Sequence, residues 1–247
     1  MTAIILAAGY ATRLYPLTLT VPKPLLVVAG RTILDRLVDQ LDRVPSVQRM
    51  ILVTNHQFHP HFVQWQRQRA LLKPIELLDD GTSNSTERLG ALGDLRFALT
   101  QTVLDDDLLV SASDNIFGFR VGDFVAAFQA RPAPWICVHW VPELARRQRT
   151  GIAVLDAQDR VVEFAEKPIE PKSHWAVPPL YLMPRHMRVW LDDYLAGGGS
   201  ADALGQFIAW LCVRQPIYAY RITGPVLDIG TPEALQVAEG LCTRLGL

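Results

Sequence analysis

The chain has 247 residues, 49 % of them hydrophobic, and a formal charge of −1 from 24 basic and 25 acidic residues. That length suits one large domain with a substantial core. The balanced charge argues against a nucleic-acid binder, and no apolar run is long enough to span a membrane.

Ala3 to Ala8 is an apolar run that empties into Gly9 and a short turn. No basic segment precedes it and Gly9 interrupts it early, so it reads as a first strand rather than a signal peptide. Arg13 follows the turn, and Lys23 lies ten residues further on, between Pro22 and Pro24. A strand ending in a small-residue loop presents backbone N–H groups to phosphate. Two cations beside such a loop make it a polyphosphate site rather than a simple turn.

Thr32 to Arg43 carries Ile33, Leu34, Leu37, Val38 and Leu41 at helical spacing. Met50 to Thr54 reads as a strand, His59 to Leu72 as a helix stopped by Pro74, and Ile75 to Leu78 as a short strand. Asp79 to Thr82 reads as a turn, Leu89 to Thr100 as a helix and Asp107 to Ser111 as an apolar strand. This alternation predicts an α/β fold with a mostly parallel sheet covered on both faces. Ligands in such sheets bind outside the carboxyl ends of the strands. Gly9 and Asp114 both fall just past strand ends, so they are expected on one edge.

The second half changes texture. Trp135 to Val141, Gly151 to Leu155, Val161 to Phe164 and Val177 to Met183 read as strands, with a hairpin turn over Asp156 to Arg160. Pro184 to Leu195 and Ala201 to Cys212 read as helices, with a Gly197-Gly198-Gly199 hinge or loop between them. Ile217 to Ile222 and Val226 to Asp228 are strand-like, and Pro232 to Leu245 is a closing helix with proline in its first turn. No internal repeat occurs, and no hexapeptide pattern of a β-helix.

The three cysteines, Cys137, Cys212 and Cys242, are widely spaced and form no CxxC. They read as buried or neutral thiols of a reducing, cytoplasmic compartment. His56, His59 and His61 read as a strand-to-helix loop rather than a zinc site. Only Lys23, Lys73, Lys167 and Lys172 interrupt an otherwise arginine-only basic complement. Lys23 and Lys167 each stand in a Lys-Pro pair, and lysine is a compact point charge that arginine does not replace at a crowded phosphate.

Leu6, Ala7, Gly9, Thr12, Arg13, Leu14, Pro16, Thr18 and the Pro22-Lys23-Pro24 triplet resemble the signature L-A-x-G-x-G-T-R-L-x-P-x-T…P-K-P of the sugar-phosphate nucleotidylyltransferases. Ala11 stands where that family has its second glycine; alanine keeps the N–H but disfavours φ > 0. Four further segments follow in family order. Glu87 to Gly93 resembles the E-x-L-G-T-A-G segment that meets the base, where Gly90 would let a flat ring approach the backbone. Ser113-Asp114-Asn115 offers a carboxylate at a strand end. Glu166-Lys167-Pro168 resembles the E-K-P that holds the sugar phosphate, preceded by Thr150-Gly151. Leu227 to Glu233 resembles the W-x-D-x-G-T-P-E segment. Pro179 stands at the glycine of the family's G-x-Y strand and offers no N–H.

The resemblance implies a Rossmann-like three-layer α/β sandwich with a small β-rich sugar-binding subregion. It implies a single domain over 1–247, residues 1–130 handling the nucleotide and residues 131–247 the sugar phosphate. The implied reaction is NTP plus sugar 1-phosphate giving NDP-sugar and pyrophosphate, with Mg2+ as cofactor. The resemblance assigns Arg13, Lys23 and Lys167 to catalysis. Leu6, Ala8, Gly9, Thr12, Arg13, Lys23, Glu87, Gly90 and Asp114 would bind nucleotide. Gly151, Glu166, Lys167, Val177 and Tyr181 would bind the sugar phosphate, and Asp114 with Asp228 the metal. Neither nucleic acid nor membrane is implied as a partner; a homo-oligomer is compatible. Two other readings keep the fold: a choline-phosphate-type cytidylyltransferase, using Trp175 and Tyr181 against a quaternary ammonium, and an inactive nucleotide-sugar-binding regulatory subunit.

Overall fold

A computed structural model describes residues 1–247. The chain opens with β1 (Thr2–Leu6), three short 3-10 turns (Thr12–Leu14, Leu17–Leu19, Lys23–Leu25) and a small hairpin of β2 (Val27–Val28) with β3 (Arg31–Thr32). Then come α1 (Ile33–Asp42), β4 (Arg49–Thr54), α2 (His59–Arg67), β5 (Ile75–Asp79), α3 (Ala91–Gln101), β6 (Leu108–Ala112), β7 (Asn115–Phe117) and α4 (Val121–Ala130). The second half adds β8 (Trp135–Trp140), the short α5 (Leu144–Arg147), β9 (Gly151–Leu155), β10 (Val161–Glu166), β11 (Trp175–Val177) and β12 (Leu180–Met183). It closes with α6 (Met187–Ala196), α7 (Leu204–Cys212), β13 (Tyr218–Arg221), β14 (Val226–Asp228) and α8 (Pro232–Leu245).

One central sheet runs β10-β9-β11-β8-β12-β6-β1-β4-β5, with β13 beside β8. The strands β6, β1, β4 and β5 are mutually parallel, as the βαβ alternation predicts. Following the pairings across the sheet, β8, β9 and β13 also share their direction, and only β10, β11 and β12 run against it. β1 thus lies between β4, reached through α1, and β6, where the order reverses. That reversal opens a crevice at the carboxyl ends of β1 and β6.

Both sheet faces are covered. Ala3 and Ile5 of β1 pack with α1, α2 and α4 through Leu34, Phe62 and Phe124. Ile4 and Leu6 pack on the other face with α3, α6 and α7 through Leu95, Leu191 and Phe207. The alternation of a strand buried on both faces therefore makes three layers, and full burial of each such side chain contributes about 2 kcal/mol. A smaller cluster of Val28, Ile33, Ile116, Ile229, Ala238 and Cys242 docks α8 over the hairpin and the β7–β14 pair.

Some elements depart from the sequence reading for identifiable reasons. The helix expected over His59 to Leu72 ends at Arg67, because the backbone N–H groups of Leu72 and Lys73 turn inward to the Asp42 carboxylate at 3.0 and 2.9 Å. The strand expected over Val177 to Met183 is broken by Pro178-Pro179, which have no N–H to give. Its halves serve different neighbours: β11 pairs with β8 and β9, β12 with β6 and β8. The sequence reading omits α4, although Val121, Phe124, Val125 and Phe128 have plain helical spacing and are all buried. The triple glycine is a tight turn rather than a hinge: Gly198 has φ +82°, and a Cβ on Gly199 would enter the Tyr194 ring.

Candidate active site

Strand β1 delivers its carboxyl end into the crevice. Ala8 O accepts from Asn55 Nδ2 at 2.9 Å, and Asn55 Oδ1 accepts from Phe58 N at 2.9 Å, so the ends of β1 and β4 are tied together. A Cβ built on Gly9 would meet nothing within 4 Å, which leaves that backbone open. Ala11 adopts φ 48° and ψ 44°, a left-handed conformation costing an alanine about 1–2 kcal/mol. Its carbonyl is held by Thr18 Oγ1 at 2.9 Å. The chain thus reaches the glycine-like conformation despite the substituted side chain. Thr12 and Arg13 stand exposed on the following 3-10 turn.

Leu6 O accepts from both Ser113 N at 3.1 Å and Ser113 Oγ at 2.8 Å, fixing the turn after β6 against the end of β1. Beyond that turn, Asp228 of β14 pairs in register with Asn115 of β7, and Ile229 N donates to Asp114 O at 3.2 Å. This short antiparallel ladder brings together two carboxylates more than a hundred residues apart in sequence. Lys23, 8 % exposed, completes the group: Nζ lies 2.8 Å from Asp114 Oδ2 and 3.9 Å from Asp228 Oδ1. Asn115 Nδ2 donates to the other Asp114 oxygen at 2.8 Å. Burial, and then the neighbouring Asp114 charge, raise the Asp228 carboxyl above the ordinary range, while Lys23 and Arg13 act the other way. The Asp228 side chain is nevertheless 71 % exposed to solvent.

The sugar-phosphate candidates gather a few steps along the same edge. Glu166 of β10 is paired with Gly151 of β9, and Gly151 with Val177 of β11. Two residues on, Pro179 O accepts from Ala112 N at 2.9 Å, immediately before Ser113-Asp114. A continuous run of backbone contacts therefore links Glu166 to Asp114. Lys167 N donates to Thr150 O at 3.1 Å, and Thr150 Oγ1 to Val177 O at 3.2 Å. Lys167 has φ 48°, and its exposed Nζ lies 3.5 Å from Glu166 Oε1. Burial raises the Glu166 carboxyl, partly offset by Lys167. Tyr181 is buried close enough for the Glu166 charge to add to the burial that raises its phenol.

Two glycines shape that carboxylate's seat. A Cβ on Gly151 would lie 2.5 Å from Phe164 Cζ and 3.2 Å from Glu166 Oε2, and one on Gly205 would overlap Glu166 Oε2 outright. Gly205, inside α7, is absent from the sequence-based candidates. A lone glycine within a helical pattern was its available signal.

The segment around Gly90 differs in its cause. Gly90 has φ +81°, and its missing Cβ would meet Ala201 O at 2.5 Å and Asp202 Cα at 2.7 Å. This approach of the backbone by itself requires glycine here. Ala91 N and Leu92 N donate to Asp202 O and Ala201 O at 3.0 and 2.9 Å, and Arg88 pairs with Asp202 at 3.1 Å. Glu87 Oε2 accepts from Ser83 N at 3.2 Å.

The histidines do not converge: His56 Nδ1 pairs with Asp79 at 2.7 Å, and His59 begins α2. No group of three or more His, Cys, Asp and Glu side chains is arranged to hold a metal by itself. All three cysteines are free. One face of Trp175 carries the Arg221 guanidinium at 4.9 Å, and Trp140 meets the ring nearly at right angles. No helix is long and apolar enough to cross a membrane.

A family model described as nucleotidyl transferase matches residues 2–243. The bifunctional protein GlmU of Methanococcus aeolicus is 26 % identical over 235 residues, which cover 94 % of this chain and 52 % of that protein. The UTP–glucose-1-phosphate uridylyltransferase AglF of Haloferax volcanii is 28 % identical, covering 97 % of this chain and 95 % of its own. The chain spans about half the length of the curated GlmU relatives it matches. Among solved structures, a UDP-glucose pyrophosphorylase complexed with UDP-glucose superposes with a TM-score of 0.82 at 15 % identity, over 98 % of both chains. At that identity the likeness establishes the fold, which is the Rossmann-like three-layer arrangement described above.

Proposed function

Because the chain belongs to the nucleotidyl transferase family, we propose that it transfers the nucleotidyl group of an NTP to a sugar 1-phosphate, releasing pyrophosphate. The observation that carries this reading is the Lys23 ammonium held between Asp114 and Asp228 at the carboxyl edge of the sheet, beside the open loop at Gly9. Relatives named as uridylyl-, guanylyl- and thymidylyltransferases of sugar 1-phosphates support the acceptor class.

The acceptor's phosphate oxygen forms a bond to the α-phosphorus as the bond from that phosphorus to the bridging oxygen breaks, and the electron pair leaves with pyrophosphate. The nucleophile is already an anion, so the protein supplies position and charge rather than a base. Backbone N–H groups around Gly9, with Arg13 and Lys23, hold the β- and γ-phosphates and stabilise the leaving group. Lys167 steers the acceptor phosphate against like-charge repulsion, and Glu166 accepts hydrogen bonds from sugar hydroxyls.

The donor set fits Mg2+: two hard carboxylates that converge on the Lys23 ammonium, the Asp114 charge raising the Asp228 carboxyl, would hold a hard divalent cation through oxygen. Bound by Asp114 and Asp228, the metal would offset charge developing on the α-phosphoryl group. Glucose with uridine or thymidine nucleotides, and mannose or heptose with guanosine, are the combinations to test. The test is pyrophosphate release over a matrix of NTPs and sugar 1-phosphates with Mg2+. One productive pair, lost in Asp114→Asn, supports the reading. Release on phosphocholine alone would move the acceptor class, and silence throughout would overturn the transfer.

A further inference from the structure

Asp80 and Asp94 take no part in the mechanism above, yet each turns a carboxylate oxygen into the protein interior. Asp94 lies in the first turn of α3 and is 6 % exposed. Asp80 directly follows β5, with its N–H bound to Thr54 O at 2.9 Å. Its Oδ1 accepts from Thr82 N at 2.7 Å and from Thr82 Oγ1 at 2.8 Å. Two of the other three oxygens, Asp80 Oδ2 and Asp94 Oδ1, are buried, and neither receives a hydrogen bond from any protein donor.

The Asp80 charge raises the Asp94 carboxyl, so the two carboxylates repel, and each unmatched buried acceptor costs about 1–3 kcal/mol. One proton removes both penalties: a neutral carboxyl donates to its ionised neighbour and the pair carries a single negative charge. Burial, then the Asp80 charge, pushes Asp94 up to about 8, and burial raises Asp80 as well. The other titratable groups nearby do not neutralise a second charge. Asp79 is occupied by His56 and by Gly81 N, Glu87 by Ser83 N, and Tyr10 donates its hydroxyl to Thr82 Oγ1 at 3.2 Å. Arg88, across the turn, is paired with Asp202. The neighbouring first turn of α7, Leu204-Gly205-Gln206, is uncharged.

The pair also stands at a junction. Thr82 connects Asp80 to Tyr10, the residue after Gly9, while Asp94 anchors α3 beneath Gly90. We propose that Asp80 and Asp94 share one proton, and that this proton clamps the segment from Asp80 to Asp94 between α3 and the phosphate loop, making the pair a positioning element for the nucleotide. The clamp is a property of the ligand-free protein; its effect on nucleotide rests on the proposed function.

Infrared spectra of the ligand-free enzyme read the proton directly. A carboxylic-acid C=O band is expected to persist at neutral pH, where ordinary carboxyls are ionised, and to be missing from Asp94→Asn. Amide exchange across residues 80–94, corrected for its intrinsic pH dependence, is expected to accelerate about tenfold per pH unit above the pair's titration. Asp94→Asn, whose amide donates to Asp80 without an added proton, should show no such rise. If that variant does not fold, Asp80→Asn makes the same comparison from the other side. A missing band, or equal opening in wild type and variant, overturns the shared proton. The dissociation constant for NTP should rise in wild type alone at pH values where the open form becomes a sizeable fraction of the molecules, because apparent affinity scales with the closed fraction. A flat constant where amide exchange shows the open form in the majority overturns the positioning role, and with it the placement of the nucleotide at this segment, while the infrared band still reports the proton.

Discussion

The proposed phosphate edge and the proposed acceptor pocket lie on one sheet edge but are built in opposite ways. At the phosphate edge, charges hold one another: Lys23 is buried because Asp114 and Asp228 compensate it. In the acceptor pocket, Glu166 is held chiefly by space that Gly151 and Gly205 leave open, with one exposed lysine beside it. The first arrangement should tolerate small changes of shape and not of charge. The second should tolerate loss of charge and not added volume.

The largest effect is expected at Asp114. Asp114→Asn keeps the shape and removes the charge, leaving Lys23 with a carboxylate at 3.9 Å alone. Pyrophosphate release should fall about 10^3-fold, the scale of losing one preorganised charge contact at a reacting centre. Asp114 is 35 % exposed, so solvent screens the ion pair and the loss of stability should be only about 1 kcal/mol. Steady-state rates beside a thermal melt separate the two numbers. Activity within tenfold of wild type would remove Asp114 from the reacting centre.

Gly205→Ala tests the other half. The added methyl occupies the position of Glu166 Oε2, so the carboxylate must leave its seat. The KM for the acceptor should rise about 10- to 100-fold while the KM for NTP stays unchanged. Equal rises in both constants would mean that the methyl disturbs the whole edge and that the pocket is not set by volume.

Glu166→Gln keeps that volume and removes the charge. Burial raises the Glu166 carboxyl in the folded protein, so across the window above its ordinary value of 4.5 the folded state holds a proton that the unfolded chain has released. Stability of the wild type therefore falls as pH rises through that window. The variant should melt above wild type at neutral pH and lose the advantage below pH about 4. A constant offset at every pH would assign the difference to packing instead.

The contrast also explains what was legible in the sequence. The proposed phosphate edge is written in contiguous motifs, so Arg13, Lys23, Asp114 and Asp228 could be put forward as candidates from the chain alone; the structure brings Lys23, Asp114 and Asp228 together and leaves Arg13 exposed. The parallel strands were equally readable, because strands buried on both faces are continuous apolar runs. The acceptor pocket depends on pieces that meet only in three dimensions. Nothing near Glu166 in sequence announces Gly205, and Pro178-Pro179 divides what looks like one strand between two sets of partners. Asp79 to Thr82 looked like an ordinary turn because Asp94, the carboxyl that Asp80 meets, lies on another element fourteen residues later.

The smallest expected effect probes whether the phosphate edge is as tolerant of shape as its charges suggest. Ala11 sits at φ 48° where glycine would be unstrained. Ala11→Gly relieves about 1–2 kcal/mol of left-handed strain and returns about 0.4–1 kcal/mol through the freer unfolded chain. The net gain is then between about 0 and about 1.6 kcal/mol, a rise in melting temperature of up to about 6 °C for a domain of this size. Catalysis should barely change, because Thr18 Oγ1 already fixes the Ala11 carbonyl at 2.9 Å and the loop keeps its path. Thr18→Val removes that hydrogen bond and provides the complement: here the KM for NTP should rise although no charge is altered. If Ala11→Gly instead lowers stability, the loop is not held in the left-handed conformation, and the open backbone at Gly9 must be positioned by the charged residues alone.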